Sequence, residues 1–222
     1  MLINNRFETR GDTLIEALFA ITIFSLIAVG SLAIMNQGTA TSQRALEITL
    51  VRNEIDAQAE TLRFLNSSYI AAYQSGGSYD SGTPAEQWQL MQSSIISTGA
   101  TNASDFGVDS TTCPGPGMVT PLPTGSFILN THNATFVSPT TPNMFNLAQT
   151  FSQVRYDKSS GQVSSSEGIW IEAVRSAVII DESNPEYNAG YIDFHIRACW
   201  DSPGQSVPLI IGTIVRLYEP RG

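Results

Sequence analysis

From Ala17 to Met35 the chain reads ALFAITIFSLIAVGSLAIM, nineteen residues without a charge, with Thr22, Ser25 and Ser31 as the only polar side chains. As a helix this run covers about 28 Å, the thickness of a bilayer's hydrocarbon core. After Asn36-Gln37-Gly38-Thr39-Ala40-Thr41-Ser42 the polarity changes but the helical period resumes. Ile48, Val51, Ile55, Ala59, Leu62 and Leu65 step by three and four, while Arg44, Glu47, Arg52, Asp56, Glu60 and Arg63 fall largely on other faces. The pattern predicts one helix over 12–67, about 80 Å long. It has a membrane span at about 14–35 and an amphipathic half at 44–66, whose apolar face needs a surface to lie on.

Beyond it, 68–150 reads as a loop-rich connecting region. Gly76 to Gly82 is a loop, and Thr83-Pro84-Ala85-Glu86 has the form of a capping box with proline at the first helical position. A short helix over 84–98 should follow, with Trp88, Met91 and Ile95 as its buried stripe and Gly99 as its stop. Six of the eleven prolines lie between Pro114 and Pro142, leaving irregular chain with one strand, Phe127 to Leu129. The segment 151–222 reads as strands: Phe151 to Tyr156, a turn at Asp157 to Gly161, Ile169 to Ile180, Tyr191 to Trp200 and Leu209 to Tyr218. In Tyr191 to Trp200, Ile192, Phe194, Ile196 and Ala198 should face a core and Tyr191, Asp193, His195 and Arg197 water. The expected fold class is α+β, a long N-terminal helix packed on an antiparallel sheet head.

At 222 residues the chain holds one globular domain, or a small one plus an extended segment. Its formal charge is −9, from 20 Asp and Glu against 11 Lys and Arg, and Lys158 is its one lysine. That balance argues against a generic electrostatic grip on nucleic acid. Cys113 and Cys199 make one disulfide or none. Exported, a bridge closing so long a loop adds about 4 to 5 kcal/mol on the chain-entropy model. In the cytoplasm the same two residues are buried thiols.

Ahead of the apolar run, Arg6 and Arg10 outweigh Glu8, which holds the first residues in the cytoplasm and sends the body outward. A secretory signal peptide cut near Ala40 is one reading of such a start. Against it, the run is longer than a signal core and continues into an amphipathic helix. Glu16 also stands at the mouth of the run, where a carboxylate entering hydrocarbon costs about 2.5 to 3.5 kcal/mol and so calls for a partner.

Gly11-Asp12-Thr13-Leu14-Ile15-Glu16-Ala17, behind a short basic leader and ahead of an apolar helix, resembles the N-terminus of type IV pilins and of the pseudopilins of type II secretion. The resemblance implies a leader over 1–11, cleavage by a prepilin peptidase between Gly11 and Asp12, and N-methylation of Asp12. It implies filament assembly through Leu14, Ile15 and Glu16, the carboxylate pairing with a neighbouring subunit's N-terminal amine. Implied partners are other pilin subunits, the peptidase, an inner-membrane assembly platform and membrane lipid. The implied location is the cytoplasmic membrane, single-pass with the N-terminus inside, and then a cell-surface filament. Most members begin the mature chain with phenylalanine where this one has Asp12, and the proline often found about twenty residues into the mature helix is absent. Asp12 and the long irregular head favour a minor pilin or pseudopilin over a major one.

The remaining chemistry is sparse. Asp181, Glu182 and Glu186, in the loop Asp181-Glu182-Ser183-Asn184-Pro185-Glu186, are the one candidate set for a hard cation such as calcium; the loop lacks EF-hand spacing, acidic turns are common, and the favoured reading is a solvated turn. His132 and His195 have no further ligands at metal spacing, and no nucleophile elbow or phosphate loop appears. No enzyme activity and no cofactor are expected. The rivals are a DNA-uptake pseudopilin, a secreted soluble binding domain, and a membrane-anchored enzyme that would need a pocket placing a histidine beside a nucleophile.

Overall fold

The computed structural model describes residues 12–74, 76, 79–98, 103, 112–114, 122–137, 153–156, 159, 163–175, 190–202 and 204–219. Contacts divide the chain into two compact units, Met1–Ala45 and Leu46–Gly222, and the helix α1, Asp12–Gln74, runs through both. Helix α1 continues past the expected end at 67. Ser67 and Ser68 bond their hydroxyls back to the carbonyl of Phe64, at 2.9 and 2.8 Å, and leave the backbone ladder intact. Beyond it, Gly76 sits at a φ of 64° and donates its N–H to Tyr73 O.

Within Leu46–Gly222 the second half of α1 buries its apolar stripe. Val51, Ile55, Ala59, Leu62 and Leu65 lie in one core with the sheet residues Ile169, Ile171, Phe194 and Ile196. Helix α2, Pro84–Thr98, adds Trp88, Met91 and Ile95 to that core, all three buried as their spacing predicts. Its N-terminus is capped nearly as expected. Thr83 Oγ1 accepts from Glu86 N at 3.3 Å, but the Glu86 carboxylate reaches Gly82 N, one residue before the cap.

Seven strands are described: β1 (Ile128–Asn130), β2 (Thr135–Val137), β3 (Gln153–Tyr156), β4 (Val163–Glu167), β5 (Ile169–Arg175), β6 (Tyr191–Trp200) and β7 (Leu209–Tyr218). The antiparallel sheet β5-β6-β7 carries the core face, and β1-β2 and β3-β4 are separate antiparallel pairs. Strands β6 and β7 match their expected limits, and β6 alternates as read, with Ile192, Phe194, Ile196 and Ala198 buried and the intervening residues half-buried. Strands β2 and β4 were not expected. Phe127, expected inside a strand, forms an isolated bridge to Ile171, each donating its N–H to the other's carbonyl.

Cys113 and Cys199 form a disulfide, with Cα atoms 5.5 Å apart and a sequence separation of 86. This settles the alternative of two thiols and ties a segment outside regular structure to the end of β6. Polar side chains complete the attachment of α1. Gln58 donates Nε2 to Leu129 O at 2.7 Å and accepts from Leu129 N at 2.9 Å, so a side-chain amide takes the place of a neighbouring strand beside β1.

Candidate functional site

In the unit Met1–Ala45 the described feature is the first half of α1, and its surface is apolar on every side. Leu14, Ile15, Leu18, Phe19, Phe24, Leu26, Ile34 and Met35 are all more than half exposed. The most apolar eighteen-residue window of the helix has a mean hydropathy of 2.4, and none of it is buried within the chain. A helix apolar all round is stable only where something apolar surrounds it, lipid or other helices. The hydroxyls in the run are already satisfied: Thr22 Oγ1 donates to Phe19 O at 2.8 Å and Ser25 Oγ to Ile21 O at 2.7 Å. They add little cost in hydrocarbon.

Glu16 is the exception on this surface. It is exposed and has no hydrogen-bond or ion-pair partner among the described residues. Leu14 and Ile15 stand beside it, exposed, on the same first turns of α1. Asp12 opens the described helix. Gly11 lies outside the described residues, as do Asp181, Glu182 and Glu186 of the candidate cation loop.

In the unit Leu46–Gly222 two buried carboxylates organise the polar interior. Glu47, read as lying off the apolar face, is 3% exposed. Its Oε2 accepts from Trp200 Nε1 at 3.2 Å and from Ser202 Oγ at 2.7 Å. The reason is spacing: Glu47, Glu54 and Gln58 lie four, three and seven residues from Val51 and therefore turn toward the same side of α1. Burial pushes the Glu54 carboxyl above the usual carboxylate range, against an opposing hydrogen bond from Gln58. On the other side of the sheet, Glu172 Oε1 accepts from Trp170 Nε1 at 3.0 Å and meets Arg197 Nη1 at 3.3 Å.

The two histidines are apart from any such centre. His132 lies in the turn between β1 and β2, its N–H donated to Asn130 Oδ1 at 2.9 Å. His195 is half-buried on β6, opposite Glu172 on β5 and Ile214 on β7. Burial first, and then the Arg197 guanidinium, pull it below the ordinary imidazole range, while Glu172 and Asp193 oppose them. An open groove of about 470 Å³ runs along α2, lined by Tyr79, Glu86, Gln89, Leu90, Gln92, Ser93 and Ile96, and neither histidine reaches it. Among the described residues no group of three or more His, Cys, Asp or Glu is placed to hold a metal ion.

Compared with protein-family models, with curated proteins and with solved structures, the chain gives no match. What stands without a relative is the architecture: a long N-terminal helix, apolar enough at its start to cross a membrane, whose later turns pack on an antiparallel sheet. That arrangement is compatible with a pilin-like fold and with a single-pass membrane protein.

Proposed function

We propose that this chain is a structural subunit of a type IV pilus-like filament, a minor pilin or pseudopilin. It is inserted as a membrane prepilin, cleaved after Gly11, methylated on Asp12 and assembled through α1. The observation that carries the reading is the division of one continuous helix. Its turns from Leu14 to Met35 expose large apolar side chains on all sides, and its turns from Glu47 onward are built into a folded head. Such a helix serves two apolar environments in turn, lipid before assembly and neighbouring helices after it. Because both are apolar, the exchange gains little from the hydrophobic effect, so helix packing and polar contacts must bias it. Glu16 supplies the polar contact, pairing with the N-terminal amine that cleavage creates on a neighbour's Asp12.

Helix α1 continues unbroken through Gly38, Thr39 and Ala40, which supports anchoring over removal of the segment at that point. The pseudopilins of type II secretion and of DNA uptake share the same N-terminal design, and the net charge of −9 favours protein over DNA as what the head touches. The test is co-production of the full chain with a prepilin peptidase in membranes. The natural sequence should lose its leader and Gly11→Val should remain uncut. Equal processing of both, at a site near Ala40, would overturn the reading.

A further inference from the structure

Helix α1 carries a second apolar stripe where it passes through the head. Its core stripe faces the sheet, and a surface helix with one core face is polar over the rest. Here Leu46, Leu50 and Phe64 remain 60%, 41% and 51% exposed. With Asn53 and Ala57 they are separated by four, three, four and seven residues, the spacing of a coiled-coil seam. Asn53 is exposed and Ala57 half-buried. The charges of these turns, Arg52, Asp56, Glu60 and Arg63, are exposed too, but they lie along one flank of the seam, and Glu60 pairs with Arg63 of its own chain.

We propose that this seam pairs with the same seam of a second copy, helix parallel to helix and in register, while the subunits are held in the membrane. The inference rests on the membrane prepilin proposed above and identifies what the head half of α1 meets before assembly. Two copies anchored through the same apolar turns in one bilayer stand level, with their α1 helices running the same way. A two-fold axis parallel to the helices then sets each seam residue against its own counterpart. Leucine on leucine, alanine on alanine and phenylalanine on phenylalanine bury apolar surface, and Asn53 is self-complementary because a carboxamide both donates and accepts. The charged flank fails this condition, since it would set Arg52 against Arg52 and Asp56 against Asp56. An asparagine within an apolar seam also favours the level register, where it meets its like, over a staggered one, where it meets leucine or alanine. The core stripe, with Val51, Ile55 and Leu62, lies on another side of α1, so the pairing leaves the packing of each head on its own helix untouched.

The test is made in membranes of cells that produce the full chain without a prepilin peptidase, so that no filament forms. Both natural cysteines are in the disulfide, and an introduced cysteine carries the free thiol. Mild oxidation should give covalent dimers from Leu50→Cys and from Ala57→Cys, and little from Arg52→Cys on the flank. When Leu46→Cys and Leu50→Cys are co-produced with different tags, each should link to itself and the mixed dimer should be the minor product. Leu50→Glu should abolish the dimer formed through Ala57→Cys and leave the unfolding midpoint unchanged, because the side chain at 50 is outside the core. Equal linkage at 50 and 52, a predominant mixed dimer, or linkage through Ala57→Cys that survives Leu50→Glu would overturn the pairing. The uncut chain makes these outcomes independent of processing: loss of the pairing with Gly11-dependent cleavage intact would overturn this inference alone. Cleavage indifferent to Gly11→Val would instead overturn the reading on which it rests.

Discussion

Two carboxylates on α1 show how position decides what the same functional group does. Glu47 is buried and accepts from an indole N–H and a hydroxyl, so its oxygen is part of the head's interior. Replacing it by alanine strips both donors of their acceptor in a place water does not reach. Glu47→Ala should destabilise the folded chain by about 1–3 kcal/mol and Glu47→Gln, which keeps an acceptor oxygen, by less. Denaturant unfolding in detergent with the disulfide intact measures this, and an unchanged midpoint for Glu47→Ala would contradict it. Glu16 is exposed and has no partner among the described residues. Under the proposed function its partner is the N-terminal amine of a neighbouring subunit.

At the scale of elements, the head-bound turns of α1 owe their position to polar side chains as well as to the apolar stripe. Gln58 satisfies both backbone groups of Leu129, and Gln58→Leu should cost about 1–3 kcal/mol for each group left bare. Thermal unfolding checks it, and a loss no larger than that of an exposed substitution such as Arg52→Leu would count against it. Much of the element structure was legible in the sequence. Helix α2, β6 and β7 are local patterns, a capped amphipathic stretch, an alternating strand and a short β-branched apolar run, and they appear where the sequence places them. Strand β4 was not legible, since VSSSE has no apolar alternation and is a strand through its pairing with β3. Strand β2 is three residues after a turn in which Ala134 takes a φ of 53°, a conformation no turn rule assigns to alanine. Glu47 and Gln58 were hidden for the opposite reason. Both fall on the apolar face by spacing, and only the tertiary partners, Trp200 and Leu129, show why polar groups are tolerated there.

For the whole molecule, each unit supports a different part of the account. The head has a continuous core and a disulfide; the first unit has a helix whose most apolar stretch is not buried within the chain. The proposed function links that helix to assembly through the Gly11-Asp12 junction, where cleavage would create an amine for Glu16 to pair with. Mass spectrometry of the N-terminal peptide, taken from sheared surface filaments and from membranes of the native host, tests this most directly. The account predicts a peptide beginning at Asp12, with or without one added methyl group. A peptide beginning near Thr41 would contradict it and leave a secreted domain without the apolar first turns of α1.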